Sequence, residues 1–533
     1  MLKIKNKIIA SIRLALAELS FNPSSASIIL EHPKDVQFGD FSSNIAMLLG
    51  KQLGQNPKSL AEALASKLNE RKEIKEVCSK IEIAGAGFIN FYLNEEYLAK
   101  QLEDILNIKT AYGVLKADKV KKIHLEFISA NPTGPLTLGN GRGGFFGDVL
   151  GNVLRLCGHS VIKEYIINDA GKQIESLGHS VLKDEEAVYK GDYIDKLHAK
   201  LEKEISDPYQ AGKRAAKMIL EEIIKPTVLG KMKIKLDSWF SEYDDLKQPG
   251  KIDKIIGWLK SEKLLYEKDG AWWFRSSDYF DDRDRVLVKT NGESTYLAQD
   301  FAYLVNKFKE REFDEAILVL GADHHGDVPG LLGAAKVLGF EGQQKIILMQ
   351  FARLIKDGKE FRMSKRKGLY VTMDEVIEMA GYNATRFFSL MYSPNTHMDF
   401  DLDLAKEQSE KNPVYYVQYA YARISGILRQ PEITKIKDGG FKGFSYTDNS
   451  EVFLLKELLK WQEVLQQSEA DLQVHELPRY AISIADKFHQ FYNNCRVLDE
   501  GNVDLSRLAL VKLTAKILHE VLDAMGIEAP EKM

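Results

Sequence analysis

The chain has 533 residues, enough for several domains, and its 44% hydrophobic and 28% charged residues are those of an ordinary soluble protein. Its 73 Lys and Arg against 77 Asp and Glu leave a net charge of −4, which neither announces nor excludes a nucleic-acid partner, because a basic groove can hide inside an acidic total. The three cysteines, Cys78, Cys157 and Cys495, are far apart and form no Cys-x-x-Cys, which argues against a disulfide framework or a structural zinc site and for a reducing compartment.

The first element, MLKIKNKIIASIRLALAEL, is apolar at helical spacing and lacks a cleavage-site pattern; it predicts a folded amphipathic helix rather than a signal peptide. Residues 1 to about 110 form a first unit, with LAEALASKLNE (60–70) helical and IEIAGAGFINFYL (81–93) strand-like. KADKVKK (116–122) reads as a charged linker. The rhythm then changes. KIHLEFIS (122–129) predicts a strand, ISANPTGPLTLGNGRGGF (128–145) a glycine-rich loop running into a helix through GFFGDVLGNVLRLCG (144–158), and VIKEYIIN (161–168) a second strand. Strand, helix and strand predict a parallel sheet with a right-handed crossover. A long charged segment, roughly 183–285, reads as helical. Strand–helix rhythm returns at STYLAQDFAYLVNKF (294–308), AILVLG (316–321) and KIILMQF (345–351), so a doubly wound domain split by a large insertion is expected. Beyond about residue 400 the pattern predicts a helical bundle, with a surface loop within 431–452. No run approaches ~20 apolar residues, so no membrane span is expected.

Doubly wound sheets bind ligands beyond the carboxyl ends of their strands. A glycine-rich loop there lets the backbone approach a phosphate, and the helix N-terminus adds unpaired N–H groups. Residues 128–145 therefore read as a nucleotide-binding loop or, alternatively, as a plain turn. A second segment, KDGKEFRMSKRKGLYVT (356–372), gathers Arg362, Lys365, Arg366 and Lys367. It suits charge developing on a polyphosphate, or it is a solvated basic turn.

Together the two segments resemble the signature pair of class I aminoacyl-tRNA synthetases, with T-L-G-N (Thr137–Asn140) standing where that family has H-x-G-H and R-M-S-K-R (Arg362–Arg366) for K-M-S-K-S. EFISANPTGPL, GNGRG, EYIINDAGKQ, GADHHGDVP, HMDFDLDLA, NPVYYVQYA and the terminal APEKM extend the resemblance to the arginyl-tRNA synthetase family over nearly the whole chain. The resemblance implies a class I Rossmann-like α/β catalytic domain over 113–395 with its insertion, an α+β tRNA-contacting domain over 1–112 and an all-α anticodon-binding bundle over 396–533. It implies that ATP and L-arginine give arginyl-adenylate and pyrophosphate, and that arginine then passes to the 3′-terminal adenosine of tRNA(Arg). It further implies a cytoplasmic monomer, with Mg2+ delivered by ATP and no metal site of its own.

By the same resemblance, Glu126, Asn131, Tyr296 and Asp300 bind arginine. A guanidinium is planar and always charged, and takes carboxylates in a bidentate fork. Glu126 and Asp300 suit it, Asn131 suits the α-amino or carboxylate end, and Tyr296 flanks the stem; Tyr296 and Asp300, at i and i+4, would share a helix face. Thr137, Asn140 and Lys365 are the expected catalytic residues, and Gly139, Gly141, His324, Met363, Ser364 and Lys365 the expected ATP contacts. The reaction needs positioning and charge stabilisation rather than a protein nucleophile. Thr137 and Asn140 depart from the histidine signature, keeping hydrogen-bond donors without a titrating charge. Tyr419, Tyr492, Arg496 and Met533 are expected to line the anticodon site, where splayed bases stack on aromatic and arginine planes. Phe88 and Asn90 are expected to meet the tRNA elbow. Two other readings stand beside it: a class I enzyme for another amino acid, such as cysteine, and a tRNA-binding relative without catalysis. The Glu126/Asp300 pair and the absence of a zinc-type cysteine cluster oppose the first; RMSKRKG and the arginine-pocket residues oppose the second.

Overall fold

The computed structural model describes residues 1–21, 28–108, 110–201, 205–279, 281–361, 370–436 and 443–533. Strand β1 (Lys122–Glu126), helix α1 (Leu138–Leu156) and strand β2 (Ser160–Ile167) follow one another as the apolar rhythm predicts. Strand β3 (Ser238–Ser241), helix α2 (Tyr296–Val305), strand β4 (Glu315–Gly321) and strand β5 (Gln344–Met349) complete the core. The sheet runs in the order β5-β4-β1-β2-β3, every neighbouring pair parallel. In this doubly wound order the chain changes direction between β1 and β4, which opens a crevice at their carboxyl ends. The glycines that would weaken α1 in isolation let it lie close on the sheet. A Cβ on Gly147 would stand 2.3 Å from the Phe127 ring, and one on Gly151 2.3 Å from Lys163 Cε.

Three expectations change. Segment 183–285 is not uniformly helical: beside helices Asp192–Leu201, Pro208–Ile219 and Lys251–Ser261 it supplies β3 and an antiparallel sheet of Leu265–Lys268, Ala271–Phe274 and Arg285–Val288. The catalytic unit passes the expected boundary at 395, because Met398–Asp401 pairs in parallel with Ala352–Lys356. Residues 81–93 lie in a hairpin, Cys78–Ala84 with Phe88–Leu93, turned at Gly85 and Gly87 with positive φ. The N-terminal amphipathic helix is present as Leu2–Glu18, burying Ile4, Ile8, Ile12 and Ala15. The bundle is built from Pro413–Leu428, Asn449–Leu458, Trp461–Asp471, Glu476–Asn494 and Leu505–Met525. Among the described residues no helix is long and apolar enough to cross a membrane.

The chain just before the expected linker is pinned to the bundle. The Glu520 carboxylate accepts the backbone N–H groups of Tyr112 and Gly113, each at 2.8 Å, and the Trp461 indole N–H at 3.2 Å. All three cysteines are buried, and burial pushes the Cys78 thiol up to about 12. Beneath the sheet, Asp148 of α1 accepts from Lys163 Nζ at 2.7 Å and from Arg386, whose guanidinium also donates to the Met525 carbonyl at the end of the last helix. Removing one member of such a buried ionic group leaves the others uncompensated. Arg386→Met is therefore expected to lower the thermal unfolding midpoint, followed by circular dichroism, by roughly 5 °C or more.

Candidate active site and nucleic-acid interface

The carboxyl ends of β1, β4 and β5 and the start of α1 enclose a cavity of about 420 Å³. Thr137, Gly139 and Asn140 line one wall, and Gly321, Ala322, Asp323, Met349 and Gln350 line others. Phe361 and Tyr370, on either side of the second signature segment, border the same space. Met363, Ser364 and Lys365, with Arg362, Arg366 and Lys367, lie outside the described residues. The chain that follows them is fastened to the first segment: Thr137 and Thr372 form an antiparallel bridge, and the Met373 N–H donates to the Leu136 carbonyl at 2.7 Å.

Thr137 and Asn140 hold each other in a capping box. The Thr137 hydroxyl oxygen accepts the Asn140 N–H at 3.3 Å, and Asn140 Oδ1 accepts the Thr137 N–H at 2.9 Å. An Asn takes the place usually held by Glu or Gln, and the arrangement fixes the N-terminus of α1, with its orphan N–H groups, at the cavity. At Gly139 the nearest atom to an added Cβ is Thr137 Oγ1, 3.6 Å away, so the backbone there is open to a ligand. Gly141 is different. A Cβ there would lie 2.1 Å from Met373 Sδ, so its smallness serves packing rather than the expected ATP contact. His324 is exposed on the turn Ala322–Gly326 with Nδ1 3.1 Å from Asp327, beside the cavity-lining residues rather than among them.

Arg142 went unnoticed in the sequence, although an arginine set among glycines in a buried helix was a signal. It is fully buried and donates to the carbonyls of Gln350 (2.6 Å), Ser393 (2.9 Å) and Thr396 (2.8 Å). Burial draws its pKa down to about 10, which still leaves a cation at neutral pH. The arginine therefore ties the signature helix to a residue of the cavity wall.

The expected arginine pocket lies at the end of β1. Ile128 and Ser129 turn the chain with φ of 69° and 37°. A β-branched residue in that region costs on the order of 1–3 kcal/mol. Neighbouring bonds hold the turn: Ser129 Oγ accepts the Ile166 N–H at 3.1 Å, Tyr165 donates to the Ala130 carbonyl at 2.6 Å, and Asn168 donates to Asn131 Oδ1 at 2.9 Å. Glu126, 5% exposed, accepts from Lys307 Nζ at 3.1 Å. Asp300, on α2, has its pKa raised to about 7 by burial, with Lys307 opposing the rise and Glu126, Asp327 and Glu242 adding to it. Tyr296, four residues earlier, is 57% exposed. Glu242, which follows β3, is the residue that sequence reasoning missed here. It is 2% exposed, its Oε1 has no hydrogen-bond partner among the described residues, and burial, then Asp169, raises its pKa to about 7. Asp300 thus stands within electrostatic reach of both Glu126 and Glu242, with Lys307 acting on Asp300 and Lys247 on Glu242.

The bundle brings Tyr419 and Tyr492 together. The Arg423 guanidinium lies 4.7 Å from the Tyr419 ring and 4.6 Å from the Tyr492 ring, and His489 stacks 6.0 Å from Tyr419. Sequence reasoning missed Arg423, although Tyr415, Tyr419 and Arg423 recur every fourth residue, a spacing that could have found it. Arg496 is exposed, with its carbonyl accepting from Arg507 at 3.0 Å. Met533 is 55% exposed on a tail fastened by Arg429 to the Glu531 carbonyl at 3.0 Å. In the first unit Phe88 is 41% exposed. Asn90 corrects the expectation: it is 2% exposed and accepts from the Ser42 hydroxyl at 2.7 Å, an internal bond between strands rather than a surface contact.

Three family descriptions match the chain: "Arginyl tRNA synthetase N terminal domain" over residues 6–93, "tRNA synthetases class I (R), catalytic domain" over 192–392 and "DALR anticodon binding domain" over 417–533. The arginine–tRNA ligase of Carboxydothermus hydrogenoformans is 40% identical over 559 residues, covering 100% of this chain and 99% of that protein. The arginine–tRNA ligase of Bacillus subtilis is 40% identical over 549 residues, covering 98% and 97%. The solved arginyl-tRNA synthetase of Thermus thermophilus shares the fold, with a TM-score of 0.76 at 21% identity over 99% of each chain. With the doubly wound crevice, the acidic pocket beside it and full-length identity of this order, the chain belongs to the arginyl-tRNA synthetase family.

Proposed function

We infer that this chain is an arginine–tRNA ligase that uses ATP. The observation that carries the reading is the acidic trio beside the nucleotide crevice, Glu126 and Glu242 buried and Asp300 half-buried, a surrounding that a guanidinium completes. ATP lies in the crevice with its phosphates toward the start of α1, Met363, Ser364 and Lys365 serve as its further contacts, and its Mg2+ arrives with the triphosphate. Glu126, Asp300 and Glu242 hold the guanidinium, Tyr296 flanks the stem and Asn131 orients the α-amino or carboxylate end. The arginine carboxylate then attacks the α-phosphorus, arginyl-adenylate forms and pyrophosphate leaves. Thr137 and Asn140 contribute by fixing the helix N-terminus against which charge develops. The terminal ribose hydroxyl of tRNA(Arg) attacks the adenylate carbonyl and AMP leaves. Tyr419, Arg423, Tyr492, Arg496 and Met533 receive the anticodon loop, and Phe88 meets the tRNA elbow. The enzyme works as a cytoplasmic monomer.

The direct test is ATP–pyrophosphate exchange with and without tRNA(Arg). Exchange is expected with arginine and not with lysine or cysteine; tRNA binding without exchange would overturn the reading. Asp300→Asn is expected to lower kcat/KM for arginine about 100-fold, a loss on the order of 3 kcal/mol from one buried charged contact.

The pH dependence follows from the same residues. Asp300 and Glu242, both drawn up to about 7, receive the guanidinium as carboxylates, and protonation below that pH removes their charge. kcat/KM for arginine is expected to fall on the acid side of pH 7 while KM for ATP stays flat, since Thr137 and Asn140 carry no titrating group. Thr137→His is expected to introduce an acid limb into the ATP profile; a limb already present in the parent would count against this account. Arg423→Ala is expected to raise KM for tRNA about 10-fold by loosening the two tyrosines, with KM for arginine unchanged.

A further inference from the structure

Along α2 and the π-helical turn after it, Asn306–Glu310, four polar residues recur at spacings of four, three and four: Tyr296, Asp300, Tyr303 and Lys307. That spacing puts them on one face of the helix. The stripe runs inward, from Tyr296 at 57% exposed to Tyr303 at 4% and Lys307 at 3%. A lysine so deep needs compensation. Lys307 Nζ finds Glu126 at 3.1 Å and lies 3.8 Å from the centroid of the Tyr303 ring.

The neighbouring elements show why this cation is available to the pocket. On β2, Glu164 is already bound by both terminal nitrogens of Arg311, at 2.9 and 2.7 Å, and stands 2.7 Å from His124 Nε2 of β1. Tyr303 donates to the same carboxylate. Burial depresses the His124 pKa, so that imidazole adds no charge at neutral pH. Glu164 and Arg311 therefore cancel. The charges facing the pocket are Glu126 from β1, Glu242 after β3, Asp300 from α2 and, further off, Asp169 and Asp327, with Lys247 acting on Glu242 and Lys307 as the buried cation at Glu126 and Asp300.

We propose that Lys307 is a positioning residue of the arginine pocket: a fixed counter-cation that orients Glu126 and sets the charge presented to the incoming guanidinium. The proposal rests on the arginine reading above. With Lys307 in place, the empty pocket is not a bare cluster of like charges, and Asp300 reaches its carboxylate form at a lower pH than it would alone. Glu126 keeps its second oxygen for the substrate.

The experiment is the pH profile of kcat/KM for arginine, read by tRNA-supported pyrophosphate exchange on the full chain, for K307Q and K307R. Gln keeps a donor toward Glu126 and loses the charge; Arg keeps the charge. Lys307→Gln is expected to move the acid limb about 1 pH unit higher, and Lys307→Arg to leave it in place, both with unchanged KM for ATP. A cooperatively melting K307Q protein with the parent's limb would overturn the proposal. Lys307→Met replaces K307Q if the latter does not melt cooperatively, and failure of both uncharged variants to fold would overturn it in favour of a purely structural brace. Failure of the arginine reading shows itself separately, as parent protein that gives no arginine-dependent exchange at all.

Discussion

The contact on which the site depends is made by backbone alone. The Met373 N–H on the Leu136 carbonyl and the bridge between Thr137 and Thr372 join two segments that are distant in sequence. Without them the switch point between β1 and β4 would be a groove with one wall. With them, the residues flanking the basic segment close a cavity against the start of α1. Gly141 and Met373 interlock just behind this seam, and Arg142 ties α1 to the far side through three carbonyls. Position in such a seam constrains residues as strictly as chemistry does.

Buried charge is distributed unevenly in this molecule, and the unevenness distinguishes structure from function. Asp148 meets both Lys163 and Arg386, and Glu164 meets Arg311, His124 and Tyr303; each carboxylate is satisfied by the chain itself. The group at the mouth of α2 is not closed in this way. Glu242 leaves an oxygen without a partner among the described residues, and both it and Asp300 are pushed toward neutrality by burial. Carboxylates buried without sufficient cation cost stability unless a ligand repays it, the physical mark of a binding site.

The strand–helix rhythm and the two signature segments were legible because long apolar strands and glycine-rich turns stand out from charged surroundings. Strand β3 was not: SWFS is four residues long, and a strand that short shows no period. Missing β3 hid Glu242, whose role comes from where the strand ends. Glu126 and Asp300 were read as pocket residues, whereas Lys307 was passed over, because a lysine in a helical stretch is ordinarily at the surface. Residues 81–93 looked like a strand with a glycine interruption, and only pairing across the turn reveals a hairpin. Asn90 failed for a related reason: sequence gives the alternation of a strand but not which face its neighbours cover.

The three thiols have a practical bearing. Each is buried, and burial raises its pKa above the ordinary thiol range. Maleimides and alkylating agents react with thiolates, so at neutral pH the native chain offers them almost no target. A pair of cysteines placed at exposed positions, Val36 in the first unit and Leu505 in the bundle, would therefore accept dyes against a silent background, and the distance between the two could be followed by fluorescence without first stripping the protein of its own sulfur.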